Sequence, residues 1–354
     1  MDSKLRISVS PHIHSGISTQ RIMLDVILAL LPAAVAGCII FGLSALAVIA
    51  VCIVAAVASE FVFNLIVKKE QTIGDLSAIV TGLLLALNLP ANVPLWQAAI
   101  GSVFAIIIVK CVFGGIGCNL VNPAITARVF MLVAFGSMAK AAFPVAVDVT
   151  SSATPLVEIA EGNLPSLADL FLGRTGGAIG ETCALALLIG GIYLLARRVI
   201  TWHVPVAFIG SVFLLSFLFE GFDLTVALSL ILSGGLFIGA FFMATDYVTS
   251  PATAWGKIIF GVGAGLITVL IRSFGNYPEG VSFAIILMNI LTPLIENMTT
   301  PCHFGKEKKR KGEAMSRYLH LSVYDEERID KIMSAMSSKV RREILRLVNR
   351  NGDS

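Results

Sequence analysis

The sequence predicts an all-α integral membrane protein of about ten transmembrane helices, arranged as two inverted five-helix repeats with broken helices. Three observations lead to this prediction. Hydrophobic residues make up 56% of the 354 residues and charged residues only 14%, which excludes an ordinary soluble domain. The apolar residues come in blocks long enough to cross a hydrocarbon core of ~30 Å, which takes roughly 20 helical residues. Similar signals also recur in the same order in both halves of the chain.

The apolar blocks are separated by polar, glycine or proline breaks. The third block is short and ends at Asn88-Leu89-Pro90, which predicts a partial or broken helix. The predicted spans lie near residues 22–42, 43–67, 76–89, 95–113, 119–138, 179–196, 202–219, 223–244, 256–273 and 281–297.

Basic residues predict the orientation, because the cytoplasmic segments of membrane proteins carry an excess of lysine and arginine. Ten spans with both termini cytoplasmic leave one long loop, roughly 139–178, on the outer face. The outer segments then hold only Lys140, Arg174 and Arg272. The inner segments hold Lys4, Arg6, Arg21, Lys68, Lys69, Arg197, Arg198, Lys257 and a basic tail that begins at Lys306.

Matching signals stand five spans apart in the two halves. An odd number of spans reverses direction, so the pattern predicts an inverted repeat, as in transporter folds whose proline-interrupted segments meet near the midplane. Chance similarity between apolar stretches is the alternative, and the shared order of the signals favours the repeat. Residues 82–90, which are followed by Trp96, match residues 239–246, which are followed by Trp255. Lys110-x-x-Phe113-Gly114 matches Arg272-x-Phe274-Gly275. Asn122-Pro123 matches Asn289 and Pro293.

The composition changes sharply after Pro301. We therefore predict a membrane domain over residues 1–300 and a basic cytoplasmic tail over 301–354. The run 306–311 is rich in lysine, which is also usual at the cytoplasmic flank of a last span. Apolar spacing within 325–349 predicts an amphipathic helix that docks on a partner or on the membrane surface.

The sequence shows no nucleophile–base pattern, phosphate-binding loop, dinucleotide-binding glycine motif or metalloprotease motif. Its six cysteines are scattered without a CxxC pair, so we expect no metal site and no catalytic residue in this chain alone. A net charge of +3 is too small to suggest a nucleic-acid partner. The lipid bilayer is the first partner that the composition predicts.

One segment of the predicted outer loop stands out, Ser151-Ser152-Ala153-Thr154. By composition alone it is a turn closed by Pro155. It resembles, however, the motif whose last threonine carries FMN through a phosphoester in Rnf and Na⁺-pumping quinone reductase subunits. The resemblance implies covalent FMN on Thr154, although Ser152 stands where the motif often has glycine. Pro155 discourages a helical conformation at Thr154, and an exposed loop would leave the hydroxyl accessible.

The resemblance covers roughly residues 7–300 and points to the D subunit of Rnf complexes, the ion-translocating ferredoxin:NAD oxidoreductases. It implies a translocase subunit that relays electrons through FMN, helps couple ferredoxin-to-NAD electron transfer to Na⁺ or H⁺ movement, and is inactive alone. Iron–sulfur, flavin and small membrane subunits are the implied partners, a noncovalent riboflavin a further implied cofactor, and the bacterial or archaeal cytoplasmic membrane the implied location. The matching segments are Ser10–Ile13, Thr81–Pro90, Phe113–Gly117, Asn122–Ala124 and Phe242–Asp246.

Two alternatives stay open at this point. The B subunit of a Na⁺-pumping NADH:quinone reductase shares the same core but usually has a longer N-terminal segment. A non-redox transporter or channel with an inverted repeat would share the architecture, but it has no use for the outer-loop motif.

Ionisable residues inside predicted spans are costly and are therefore candidates for function. Asp25 and Glu60 fall within the first two spans, and Asp246 lies in the break after the eighth. We predict that these three line an ion path or a second flavin site. Arg128 lies within the fifth span, and Lys110 is expected to extend to the lipid headgroups.

Overall fold

The computed structural model describes residues 18–136, 142–144, 154–160, 163–275 and 280–301. Within these ranges every regular element is a helix, and one isolated antiparallel β-bridge joins Ala142 to Gly177. The predicted all-α class is thus confirmed. The chain divides into one unit over 1–300 and another over 301–354. The predicted tail helix lies outside the described residues, as does the N-terminal segment 1–17.

The described part of the chain contains thirteen helices besides a single short 3-10 turn, Ile73–Asp75. Their bounds are α1 Thr19–Phe41, α2 Leu43–Val67, α3 Ser77–Leu87, α4 Leu95–Cys111, α5 Pro123–Ala134, α6 Pro155–Ala160, α7 Leu167–Leu172, α8 Ala184–Ala196, α9 His203–Phe219, α10 Leu224–Leu232, α11 Leu236–Met243, α12 Ala254–Phe274 and α13 Val281–Thr299.

Every predicted span corresponds to a helix or a helix pair, but only some of them have the length of a bilayer. Helices α1, α2, α12 and α13 are long and apolar enough to cross a membrane. Helices α10 and α11 pass the same test together, as one span bent by 64°. The five other apolar helices, α3, α4, α5, α8 and α9, have only 10–17 residues each.

The third span is broken, as predicted. Helix α3 has 11 residues and is about 16 Å long, roughly half of the hydrocarbon core. Its end is held by a later segment of the chain, because Gly180 N–H donates to the Leu87 carbonyl at 2.7 Å and Ile179 N–H to the Leu89 carbonyl at 3.0 Å. These bonds satisfy carbonyls that a helix end leaves without partners.

The eighth span is broken in its interior. Gly234 has a φ of 71°, a left-handed conformation that glycine adopts without steric cost, and it separates α10 from α11. From the sequence, a break was predicted only after Met243. Residues 244–253 are indeed non-helical, but the prediction was incomplete because Ser233-Gly234-Gly235 forms a second break within the span.

The packing pairs equivalent helices of the two halves. The first helices of the halves, α1 and α8, pack together, and so do the last ones, α5 and α13. Helix α2 packs on α3 and α4, as α9 packs on α10 and α12. The approach of α8 to α1 requires glycine, since a Cβ at Gly190 would lie 2.1 Å from the Ala29 carbonyl oxygen. This arrangement agrees with two repeats, and their opposite orientation remains a prediction.

Candidate functional site

Thr154 lies just outside helix α6, as predicted from the proline that follows it. Its carbonyl accepts hydrogen bonds from the N–H groups of Val157 at 2.8 Å and Glu158 at 3.0 Å. Pro155 is the first helical residue, a position that proline tolerates because its missing N–H would have no helical partner. Ser151, Ser152 and Ala153 lie outside the described residues, so their part in the motif stays a prediction.

Thr154 lines a small cavity of about 20 Å³, which is room for about one water molecule. Its Oγ1 atom is buried and has no hydrogen-bond partner in the part of the chain that the structure describes, and the same holds for Oγ1 of Thr182 on the same cavity. The expectation that the hydroxyl is exposed on the loop is therefore corrected. A buried polar atom without a partner costs about 1–3 kcal/mol.

A guanidinium group lies beside this cavity, at the break between α10 and α11. Arg272 donates to the carbonyls of Leu230 at 2.7 Å and Ser233 at 3.3 Å. Gly234 lines the cavity, and a Cβ placed on it would lie 2.8 Å from Leu156 Cδ1 and 3.3 Å from Arg272 Nη2. A positive charge therefore stands next to the threonine cavity, and arginine is well suited to phosphate oxygens.

A buried ion pair connects the same cavity to the end of α3. Glu181 lines the cavity, and its Oε1 lies 2.7 Å from Arg128 Nη2. Arg128 Nη1 donates to Asn88 Oδ1 at 2.8 Å. Gly235 packs directly on the pair, since its Cβ would lie 2.8 Å from Glu181 Oε1. Glu181 thus faces the N-terminal end of α11, and Arg128 faces the C-terminal end of α3. The helix dipole favours a negative charge at the first position and a positive charge at the second.

A second cavity, of about 430 Å³, lies among the ends of α1, α3, α4, α5 and α8. Its walls are mostly apolar and include the polar residues Thr81, Asn119, Asn122 and Asp246. Asn119 Oδ1 is buried and finds no hydrogen-bond partner within the described ranges. This size and lining are typical of sites for small organic ligands.

Asp246 lies on the wall of this large cavity, between α11 and α12. Burial raises the pKa of its carboxyl group above the usual aspartate value, and hydrogen bonds from Val248, Thr249 and Tyr247 lower the pKa in part. Thr249 Oγ1 donates to Asp246 Oδ2 at 3.2 Å. Because desolvation is the largest effect, the net shift of the Asp246 pKa is upward.

The other two predicted candidates, Glu60 and Asp25, each form an ion pair with a basic side chain. Both oxygens of Glu60 lie 2.9 Å from Lys110 Nζ, and Lys110 lines the large cavity. The expectation that Lys110 extends to the headgroups was wrong, because its side chain is 2% exposed and neutralised by Glu60. Asp25 accepts from Tyr193 at 3.1 Å and from Arg197 at 3.2 Å, and it does not line the cavity.

Comparison with known proteins gives a consistent result. The chain matches the model of the NQR2, RnfD, RnfE family over residues 6–305. It is 48% identical over 313 residues to the D subunit of the Na(+)-translocating ferredoxin:NAD(+) oxidoreductase complex of Acetobacterium woodii, covering 87% of this chain and 97% of that protein.

Two further relatives carry related names. The D subunit of the proton-translocating ferredoxin:NAD(+) oxidoreductase complex of Clostridium ljungdahlii is 43% identical, over 85% of this chain and 96% of that protein. The D subunit of the ion-translocating oxidoreductase complex of Stutzerimonas stutzeri is 38% identical, over 83% of this chain and 94% of that protein.

Proposed function

The chain belongs to the NQR2, RnfD, RnfE family, and on that premise we propose that it is the D subunit of an ion-translocating ferredoxin:NAD(+) oxidoreductase complex. It is a multi-pass membrane subunit that relays electrons through FMN on Thr154 and helps couple electron transfer to ion translocation. Its partners are the iron–sulfur, flavin and small membrane subunits of that complex. The flavin loop lies on the outer face of a bacterial or archaeal cytoplasmic membrane, and both termini are cytoplasmic.

The Thr154 hydroxyl supports covalent flavin attachment. Its Oγ1 is buried and has no hydrogen-bond partner among the described residues, so none of these groups competes for the oxygen that would form the phosphoester. Arg272, beside the cavity, supplies a positive charge for the phosphate. The cavity of about 20 Å³ is too small for a flavin ring. Bound FMN supplies the redox chemistry, while the chain supplies position and electrostatics.

The test is in-gel flavin fluorescence of the denatured chain. We expect a fluorescent wild-type band and a dark Thr154→Val band, because valine has the shape of threonine but no oxygen to esterify. Thr182→Val is the matched control, since it removes the other unpartnered hydroxyl of the same cavity, and its band should stay fluorescent. If the wild-type band is dark in protein from cells that flavinylate other proteins, Thr154 is only a turn residue. The electron relay through FMN is then removed from the proposal.

The large cavity supports a second, noncovalent flavin of the riboflavin type. Its volume of about 430 Å³ suits a planar organic ligand, and Asp246 offers a polar group on an otherwise mainly apolar wall. This location could serve both roles predicted for the acids, a flavin site and an ion path, because Lys110 lines this cavity and pairs with Glu60. Asp25 has no such link.

We expect Asp246→Ala to lower noncovalent flavin content or coupled ion transport by roughly tenfold, the size of a lost hydrogen bond in a buried site. Asp246→Asn should retain most of the flavin, because the amide keeps a polar group of the same size at this position. Flavin released on acid precipitation and ion uptake into proteoliposomes measure the two effects. Wild-type values of both in Asp246→Ala would remove Asp246 from the site.

The alternatives from the sequence are less well supported. The quinone reductase B subunit shares the family, but the three relatives above are D subunits matched over 94–97% of their lengths. A non-redox channel disagrees with relatives that are named oxidoreductase subunits. The names of two relatives differ in the coupling ion, Na(+) in one and the proton in the other, so both ions stay within the proposal.

A further inference from the structure

Two short helices of the membrane domain end between its two cavities. Helix α3 begins beside the large cavity, which Thr81 lines, and ends at Leu87. Helix α11 follows Gly234, which lines the small cavity, and leads to Thr245 on the large one. The two helices are about 16 and 12 Å long, so neither crosses a hydrocarbon core of ~30 Å. The C-terminal end of α3 and the N-terminal end of α11 are both buried within the protein.

A chain of polar contacts links these helix ends and runs from one cavity to the other. Arg128 Nη2 lies 2.7 Å from Glu181 Oε1, and Nη1 donates to Asn88 Oδ1 at 2.8 Å. Asn88 Nδ2 lies 3.8 Å from Met243 Sδ, and Asn122 Nδ2 donates to the Met243 carbonyl at 3.4 Å. Glu181 lines the small cavity, Asn122 lines the large one, and Arg128 lines neither. Arg128 therefore lies between the two cavities.

Arg128 places a permanent positive charge at this position, because a guanidinium group is not deprotonated in proteins. Glu181 compensates the charge, which makes its burial possible. The N-terminal end of α11 adds a partial positive charge. Arginine side chains and the positive ends of half-helices exclude protons and cations in membrane pores. A cation that moved from the small cavity toward the large one would thus meet a fixed positive charge behind Glu181.

The ion pair also fills the space between the cavities. A Cβ on Gly235 would lie 2.8 Å from Glu181 Oε1 and 3.3 Å from Arg128 Nη1, so the backbone packs on the pair without room for a methyl group. On the other side, a Cβ on Gly180 would lie 2.7 Å from Leu87 Cβ. Truncating both charged side chains would leave a space beside the polar side chain of Asn88, and a roomy polar space admits water.

We propose that Arg128, held by Glu181 and Asn88, is a barrier that keeps small cations from crossing between the two cavities while the complex is at rest. The inference rests on the proposed function in one respect: a complex that builds an ion gradient would lose it through a passive leak in this subunit. A purely structural ion pair predicts only a loss of stability when it is removed. A barrier predicts, in addition, a cation leak through a complex that is still folded.

The test is the passive entry of radioactive Na⁺ into proteoliposomes that contain the purified complex, without ferredoxin or NAD⁺. Arg128→Ala combined with Glu181→Ala removes both charges and most of the volume of the pair. It should raise the entry rate by about tenfold or more, because the barrier to the ion is lowered. Arg128→Lys keeps a positive charge beside Glu181, and its entry rate should stay at the wild-type level. The unfolding midpoint in detergent shows whether each variant is folded.

A folded double variant whose entry rate equals that of the wild type would overturn the proposal. If the double variant does not assemble, Arg128→Gln decides. Its amide can still bond to Asn88 or Glu181 but carries no charge, so it should also admit Na⁺, and a wild-type rate there would overturn the barrier.

Arg197→Ala is the matched control, because it removes an arginine from the ion pair with Asp25, and neither of these residues lines a cavity. Its entry rate should equal that of the wild type. An entry rate as high as that of the double variant would mean that any lost ion pair loosens the complex, and this would also overturn the proposal.

Flavin fluorescence of the same preparations reports on the proposed function independently. A fluorescent wild-type band together with a folded double variant that admits no Na⁺ would overturn the barrier and leave the redox role intact. A dark wild-type band together with a leak in the double variant alone would do the reverse.

Discussion

Replacing Arg128 by leucine is expected to destabilise the membrane domain by about 3–5 kcal/mol, because Glu181 would remain as a buried charge without its cation. The two side chains are 8% and 5% exposed and 2.7 Å apart. Arg128 also binds Asn88 at the end of α3, so the broken helix loses a partner at the same time. The midpoint of heat-induced unfolding in detergent should fall by about 10 °C or more.

The matched control is Arg174→Leu, which removes an arginine from an exposed pair. Arg174 and Asp169 are 3.9 Å apart and 72% and 43% exposed, so the loss should stay below about 1 kcal/mol. Replacing Glu181 by glutamine in the Arg128→Leu background should recover a large part of the lost stability, because the uncompensated charge disappears. An unchanged midpoint in Arg128→Leu would show that the pair contributes nothing to the fold.

Replacing Thr154 by valine is expected to lower ferredoxin-dependent NAD⁺ reduction by the assembled complex roughly 100-fold or more, because no side chain substitutes for a redox cofactor. The fold should not suffer, since the change removes a buried hydroxyl that has no hydrogen-bond partner. The measurement is the rate per complex in isolated membranes, together with the unfolding midpoint. A merely structural threonine would show the opposite, with a shifted midpoint and a normal rate.

Two further variants, Thr182→Val and Thr154→Ser, serve as controls for this result. The first removes the neighbouring hydroxyl of the same cavity and should keep the rate. The second retains an oxygen for attachment, so its rate should follow the amount of fluorescence in its band. A full rate in Thr154→Val with a dark band would place the FMN outside the path of electrons.

The order and nature of the membrane helices could be predicted from the sequence because hydrophobicity acts locally. Every apolar block became a helix, and Asn88-Leu89-Pro90 marked the end of α3 correctly. The break at Gly234 was missed because two apolar runs flank it closely, although Ser233-Gly234-Gly235 was a readable signal. The short helices α6 and α7 were missed within the predicted loop, because six residues give too little periodicity.

The candidate site was less predictable because its parts come from distant segments. Thr154 was found from a motif, but the burial of its hydroxyl depends on Thr182 and Gly234, which no local pattern connects to it. Glu181 was missed although it falls inside the predicted span 179–196. Lys110 was misplaced because its partner Glu60 stands 50 residues away, and a single sequence does not show which charges meet.

The short helices also bear on how the protein enters the membrane during synthesis. The backbone at the end of α3 needs hydrogen-bond partners within the hydrocarbon, where water cannot supply them. Leu87 obtains its partner from Gly180, which follows it by 93 positions. When the ribosome has just completed α3, it has therefore not yet synthesised Gly180, whose N–H donates to the Leu87 carbonyl. Long helices such as α1 and α2 can integrate as they emerge, whereas α3 reaches its final depth only when the second half arrives. For α3, membrane integration and tertiary folding are consequently a single process.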